Sequence, residues 1–176
     1  DDISSPKRFE QQISFLKTNS NVAIVGGQMA EFESSPNNII SERLVPLNHT
    51  DIIHYSQTRS PFNHATIAYR KDILEKVGLY QHHLLMEDYN LWIRILAAGY
   101  QTANLPDTLL YMRTDGMHGR RRGWQYVKSE WQLFKLKREL NFQSFFSAFS
   151  LFLVRSSVRL LPASLLQKVY VLIRKK

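Results

Sequence analysis

Cysteine is absent from this 176-residue chain. That excludes disulfide scaffolds, thiolate zinc sites and cysteine nucleophiles. It is silent about compartment, because a chain without thiols suits reducing and oxidising surroundings alike. No uninterrupted apolar stretch approaches the ~18 residues of a membrane span, and no basic-then-apolar leader opens the chain. There is no internal repeat and no low-complexity segment. An initiator methionine is also missing: the chain opens Asp1-Asp2, which leads us to expect a processed product or a fragment whose natural start lies upstream. What is present is ordinary for a globular protein, with 44% hydrophobic and 22% charged residues. A wholly disordered or collagen-like chain is thereby excluded.

Acidic residues are scarce in one place only. Residues 1–112 carry a net charge of −3, whereas residues 113–176 carry +11. A near-neutral body followed by a basic tail suits nucleic acid, an anionic membrane surface or phosphate-bearing ligands.

The residue pattern predicts alternating elements. Ser4-Ser5-Pro6 reads as a helix start with a serine cap, and Phe9, Ile13 and Leu16 give an apolar face to a helix over 6–18. Val22 to Val25 reads as a buried strand bounded by Gly26-Gly27, with 28–33 an exposed continuation and 34–48 a loop. Asp51 to Ser56 is expected as a short helix capped by Thr50. Residues 65–70 read as a strand, and 71–77 as a helix closed by Gly78. Residues 87–98 form the clearest helix, with Leu91, Trp92, Ile95 and Leu96 on one face and two acids in its first turn. Thr102–Leu105 and Thr108–Met112 are expected as separate strands around Pro106-Asp107. In the tail, Trp124, Val127, Trp131 and Phe134 set the face of a helix over about 123–140. A Phe- and Leu-rich segment over 142–161 follows, and then a second apolar stripe through Leu165, Leu166, Val169, Tyr170, Leu172 and Ile173.

Several of these segments carry a resemblance: Asp1-Asp2-Ile3-Ser4 with Pro6 to Glu10, Val25-Gly26-Gly27, Ser60-Pro61-Phe62-Asn63-His64, Arg70-Lys71, Val77-Gly78-Leu79-Tyr80, Glu87-Asp88-Tyr89-Asn90-Leu91-Trp92-Ile93-Arg94, Gly99-Tyr100 and Tyr111-Met112-Arg113. In this order and spacing they resemble the second half of a family 2 inverting glycosyltransferase of the GT-A fold, over residues 1 to about 115. The resemblance implies an α/β fold: the C-terminal, acceptor-side part of a mixed-sheet nucleotide-diphospho-sugar transferase domain over 1–118. A basic, mainly helical amphipathic tail follows over 119–176. It also implies transfer of a sugar from a nucleotide-sugar donor to an acceptor hydroxyl, in bacterial surface polysaccharide assembly. The nucleotide-binding half would lie upstream, so the isolated chain is expected to be inactive.

The resemblance assigns roles residue by residue. Asp1 would be the second carboxylate of an Asp-x-Asp motif and, with His118, would hold a divalent ion, Mg²⁺ or Mn²⁺, which acts as a Lewis acid on the diphosphate leaving group. Read without it, Asp1 and Asp2 are a frayed terminus and His118 an exposed loop histidine. Asp88 would be the general base that takes the acceptor hydroxyl's proton, with Glu87 binding acceptor or supporting the site; the plainer reading of this pair is dipole stabilisation at a helix start. Phe62, Asn63, His64 and Trp92 would line the donor and acceptor side; His64, which precedes an apolar strand, reads equally as a hydrogen-bonded structural histidine. Arg113 and the cluster Arg120-Arg121-Arg122 would meet phosphate oxygens of donor or acceptor; a solvated basic loop is the equal reading of the cluster. Residues 119–124 read Gly-Arg-Arg-Arg-Gly-Trp rather than the Gln-x-x-Arg-Trp of processive synthases, which favours single addition.

The tail reads as an interfacial element. Phe145, Phe146, Phe149, Phe152 and Leu153 would insert, with Arg155, Arg159, Lys168 and Arg174-Lys175-Lys176 on the rim. That places the protein in the cytoplasm, at the inner face of a bacterial plasma membrane, beside a saccharide or lipid-linked saccharide acceptor. Packing of these helices on the domain, or on a second copy in a homo-oligomer, is the competing reading. A nucleic-acid-binding module is disfavoured, because the tail is too apolar for a solvated stacking groove. A non-catalytic interaction domain is the remaining alternative.

Overall fold

The computed structural model describes residues 2–114 and 122–161. A five-stranded mixed sheet runs β1-β5-β2-β3, and β4 pairs with β2. Its spine is the parallel pair β2 (Val22–Phe32) and β5 (Gln101–Arg113). β1 (Ile3–Ser4), β3 (Ile39–Arg43) and β4 (Ala68–Tyr69) pair antiparallel to these two. Helix α1 (Arg8–Thr18) joins β1 to β2. Helices α2 (His49–Ser56), α3 (Lys71–Lys76) and α4 (Glu87–Ala97) lie between β3 and β5, and α5 (Trp124–Glu139) and α6 (Phe145–Arg159) follow the sheet.

Several expectations are corrected. β2 is one strand of 11 residues, buried along its whole length, because both of its edges are occupied. Residues 28–33 therefore do not form an exposed continuation, and Gln28 is held inside by bonds from Nε2 to the Leu105 and Val45 carbonyls. Part of the expected 34–48 loop is β3, which covers the far edge of β2. The two strands expected around Pro106-Asp107 are one, and the register against β2 shifts at Gln28 opposite that dipeptide. Gly27 is required there: a Cβ would lie 2.5 Å from Leu109 Cδ1. Helix α2 is capped by Asn48, whose Oδ1 accepts from Asp51 N at 3.0 Å, and not by Thr50. Helix α1 starts after Lys7 with no side-chain cap, and Ser4 belongs to β1.

The buried side of α1 also differs from the expected one. Phe9 and Ile13 are exposed, while Arg8 and Gln12 are buried. Gln12 Nε2 donates to the carbonyls of Val25 at 3.0 Å and Thr66 at 2.7 Å. These interior carbonyls need donors, and a polar side chain supplies them where an apolar one cannot.

The main core joins Ile24, Ile52, Phe62, Leu91, Trp92 and Ile95. Helix α4 sits at its centre, and every residue from Tyr89 to Leu96 is buried. This exceeds the one-sided helix the period predicts, because α5 packs on the face opposite the sheet, joining Met86, Tyr89 and Ile93 to Leu133. The helix closed by Gly78 (φ 85°) and the stop at Gly99 (φ 81°) are as expected.

α5 and α6 form a hairpin, tied at its open end by Gly123 N donating to Arg159 O at 2.9 Å. The buried face of α5 is Ser129, Glu130, Leu133, Phe134 and Lys137. Trp124 and Trp131 are exposed, so the face set by the expected tryptophan stripe is corrected by about a quarter-turn. The apolar stripe expected through 165–173 lies outside the described residues.

Candidate active site

Asp88 stands in the first turn of α4, its side chain 28% exposed. Tyr89 N–H donates to Asp88 Oδ1 at 2.7 Å. Oδ2 lies 3.5 Å from His64 Nδ1. His64 opens a single 3-10 turn, His64–Thr66, anchored on both sides. Asn63 Nδ2 donates to the carbonyls of Gly27 at 3.0 Å and Arg43 at 2.9 Å. Thr66 Oγ1 accepts from Gly27 N–H at 3.1 Å. The hydrogen bond with Asp88 raises the His64 pKa above its ordinary value, against the opposing effect of partial burial, with Asp88 and Glu87 adding in charge. The pair is thus an imidazolium-prone ring beside a half-open carboxylate.

Aromatic rings floor and flank this pair. Trp92 and Phe62 are buried and meet edge-on at 5.4 Å. The His64 ring lies 6.1 Å from Trp92 and 6.1 Å from Tyr80. Phe62 and Trp92 shape the site from beneath, whereas Tyr80 is exposed beside the carboxylate. Partial burial, with the nearby Tyr69, Asp88 and Glu87 charges, pushes the Tyr80 hydroxyl up to about 12, so it stays a neutral donor. Glu87 is exposed.

Behind the site runs a polar relay. The Arg94 guanidinium donates to the carbonyls of Val77 and Leu79, fixing the turn that presents Tyr80. Arg94 Nε donates to Asn90 Oδ1 at 2.8 Å, and Asn90 Nδ2 lies 3.2 Å from His83 Nδ1. His83 Nε2 is 3.0 Å from Ser129 O on α5. Burial lowers the His83 pKa, so the neutral ring donates through Nε2 and accepts through Nδ1. Tyr80, His83, Asn90 and Arg94 were not among the expected site residues. Their signal was the four-residue spacing of Asn90 and Arg94, which puts both on one face of α4.

The remaining expected residues divide. Arg113 closes β5, its guanidinium 5.0 Å from the Phe32 ring centroid, and its backbone N–H donates to Asp2 Oδ1 at 3.1 Å. Phe32 lies five residues beyond Gly27 on β2, about 16 Å along a strand. Arg113 and Asp2 therefore mark a second locus, apart from the His64 turn. Asp1, His118, Arg120 and Arg121 lie outside the described residues. Among the described residues no three His, Asp or Glu side chains gather to hold a metal ion, and Asp2 engages a backbone N–H.

A mixed α/β domain with a half-open carboxylate over an aromatic floor is the class that fold and site define. No family model matches the chain. It is 47% identical over 171 residues to an uncharacterized glycosyltransferase of Haemophilus influenzae. It is 43% identical over 173 residues to the amylovoran biosynthesis glycosyltransferase AmsE of Erwinia amylovora. It is 34% identical over 171 residues to the UDP-Gal:alpha-D-GlcNAc-diphosphoundecaprenol beta-1,3-galactosyltransferase of Escherichia coli. Each alignment takes in 97% of this chain and 62–64% of the relative. The chain is a homologue of enzymes named glycosyltransferases, and it spans less than two thirds of their length.

Proposed function

We propose that the protein is an inverting, family 2 glycosyltransferase of the GT-A fold. In this reading residues 1–118 form the acceptor-side part of its catalytic domain, and it acts in surface polysaccharide assembly. The observation that carries the reading is the half-open Asp88 carboxylate, held by Tyr89 N–H and His64 above a buried aromatic floor. Asp88 Oδ2 takes the proton of an acceptor hydroxyl as its oxygen attacks the anomeric carbon from the face opposite the leaving diphosphate. His64 orients the carboxylate, and Tyr80 borders the acceptor. Arg113, at the separate locus beside Asp2, and Arg120 and Arg121 are assigned to phosphate oxygens of the donor or the acceptor.

The name of the Escherichia coli relative states a UDP-linked galactose donor and a diphosphoundecaprenol-linked acceptor, and we extend a nucleotide-sugar donor and a lipid-linked saccharide acceptor to this protein. Asp1 and His118 are the proposed ligands of a Mg²⁺ or Mn²⁺ ion, which when bound neutralises charge on the departing diphosphate. The protein works at the inner face of the plasma membrane, where such acceptors reside.

The test is nucleoside-diphosphate release by the full-length protein from UDP-, GDP- and dTDP-sugars with a diphospholipid-linked acceptor, in Mn²⁺, Mg²⁺ or EDTA. We expect release that needs metal and acceptor, and that falls about 10²–10⁴-fold in Asp88→Asn. Undiminished release in Asp88→Asn removes the assigned base. No release with any donor favours a non-catalytic interaction domain.

A further inference from the structure

Helix α6 is inside out. Its only charged residues are Arg155 and Arg159, and both turn inward. Arg155 Nε and Nη2 grip the two oxygens of Glu130 at 2.6 and 2.8 Å, and Arg159 Nη2 reaches Glu130 Oε1 at 3.2 Å. Glu130, on α5, is 2% exposed. The rim position expected for these arginines is therefore corrected: they neutralise a buried carboxylate between the two helices, where an unpaired one would be costly. Phe149 and Phe152 also turn inward, 5.9 and 6.1 Å from the Phe134 ring. What remains outside is Phe146 at 82% exposure, Val154 at 61%, Phe145 and Leu153 at 49% and Leu160 at 48%, with Ser150 and Ser157 between them. No charged residue of α6 interrupts this face.

Helix α5 continues the surface with a different pattern. Trp124, Lys128, Trp131 and Lys135 follow at spacings of four, three and four and are all exposed. Trp131 packs edge-on against Phe152 of α6 at 5.3 Å, so the two helix faces are contiguous. An apolar ridge bordered by alternating tryptophan and lysine matches the layers of a bilayer surface. Phenylalanine and leucine enter the acyl boundary, indole rings sit at headgroup level, and lysine stems extend their ammonium groups to lipid phosphates. Among the described residues no helix is long and apolar enough to cross a membrane. Residues 122–161 carry seven Lys/Arg and two Glu, a net of +5 that complements an anionic leaflet.

We infer that the outer face of the α5–α6 hairpin is an anionic-bilayer docking surface, with Phe146 and Leu153 as its inserted residues and Lys128 and Lys135 as its headgroup contacts. This deepens the transferase reading and rests on it for its purpose: the hairpin packs on α4 and would hold Asp88 beside a lipid-borne acceptor.

The test is flotation of the full-length protein with phosphatidylcholine vesicles and with vesicles that also contain phosphatidylglycerol. Phe146→Ser/Leu153→Ser and Lys128→Glu/Lys135→Glu are compared with the parent, and thermal melts check folding. We expect the parent to float with the anionic vesicles. The serine pair should bind at least about tenfold more weakly with an unchanged melt, and the glutamate pair should lose most of the gain from phosphatidylglycerol. Equal flotation of the serine pair overturns the inference. So does a concentration-dependent dimer that the serine pair abolishes while the parent ignores vesicles, since the occupant is then a second copy. Sugar transfer to a water-soluble acceptor separates the two readings: flotation without transfer defeats only the transferase, and transfer without flotation defeats only the docking surface.

Discussion

His64 and Asp88 meet across the gap between a 3-10 turn and the first turn of α4. Because the Asp88 hydrogen bond is the largest influence on His64, its folded pKa lies above the ordinary value of 6.5. A raised histidine contributes stability that is fully present below its unfolded pKa and is lost as pH rises through the folded pKa. Asp88→Asn should therefore shift the His64 titration, followed by NMR of the imidazole protons, downward. The stability difference between the two proteins should shrink as pH climbs through the folded His64 pKa. An unmoved His64 titration would show that the two side chains do not interact in solution. Tyr80 marks a limit of sequence reading at this scale. It stood in a recognisable Gly-Leu-Tyr run, but only the Arg94 bonds to Val77 and Leu79 explain its position beside Asp88.

At the scale of elements, β2 and β5 depend on close approach. Gly27 faces Leu109 across the parallel pair, and the spacing leaves no room for a methyl group. Gly27→Ala should cost roughly 1–3 kcal/mol by overpacking, measured by urea unfolding, and it should loosen the Asn63 and Thr66 anchors that end on this residue. A stability equal to the parent would mean that Leu109 repacks freely. The double-glycine signal at 26–27 was legible as a boundary in sequence. Its actual use, a strand that runs straight through under a crowded neighbour, depends on residues more than eighty positions away.

Across the whole molecule, the hairpin and the domain are joined through buried polar groups. Lys137 Nζ donates to Gln57 O at 2.6 Å and to the Tyr89 hydroxyl at 3.2 Å. Tyr89 donates in turn to Ser56 O at 2.7 Å. Burial, reinforced by Arg155 and opposed by Glu130, lowers the Lys137 pKa from 10.5 to about 7. Burial raises that of Tyr89. Between about 7 and 10.5 the unfolded chain holds the Lys137 proton and the folded chain does not, so this residue makes stability rise with pH over that window. Lys137→Met should flatten the slope in denaturant titrations across that range and lower neutral-pH stability by about 1–3 kcal/mol, because the Gln57 carbonyl loses its donor. An unchanged slope would show that Lys137 keeps its proton throughout.

Local residue pattern was enough to place the helices and the chemistry they carry, but not β1, β3 or the continuity of β5. Helix α4, its acidic first turn, the glycine stops at 78 and 99 and the basic, apolar tail follow from local period, capping and composition, which act over a few residues. Tertiary structure decided which side of each helix faces inward. Gln12 displaced Phe9 and Ile13 because interior carbonyls needed a donor. Arg155 and Arg159 turned from solvent because Glu130 was buried between the helices. Hydrophobic period ranks side chains by their cost in water. It cannot register a carbonyl or carboxylate brought near by a distant segment, whose desolvation outweighs the gain from burying one more apolar side chain.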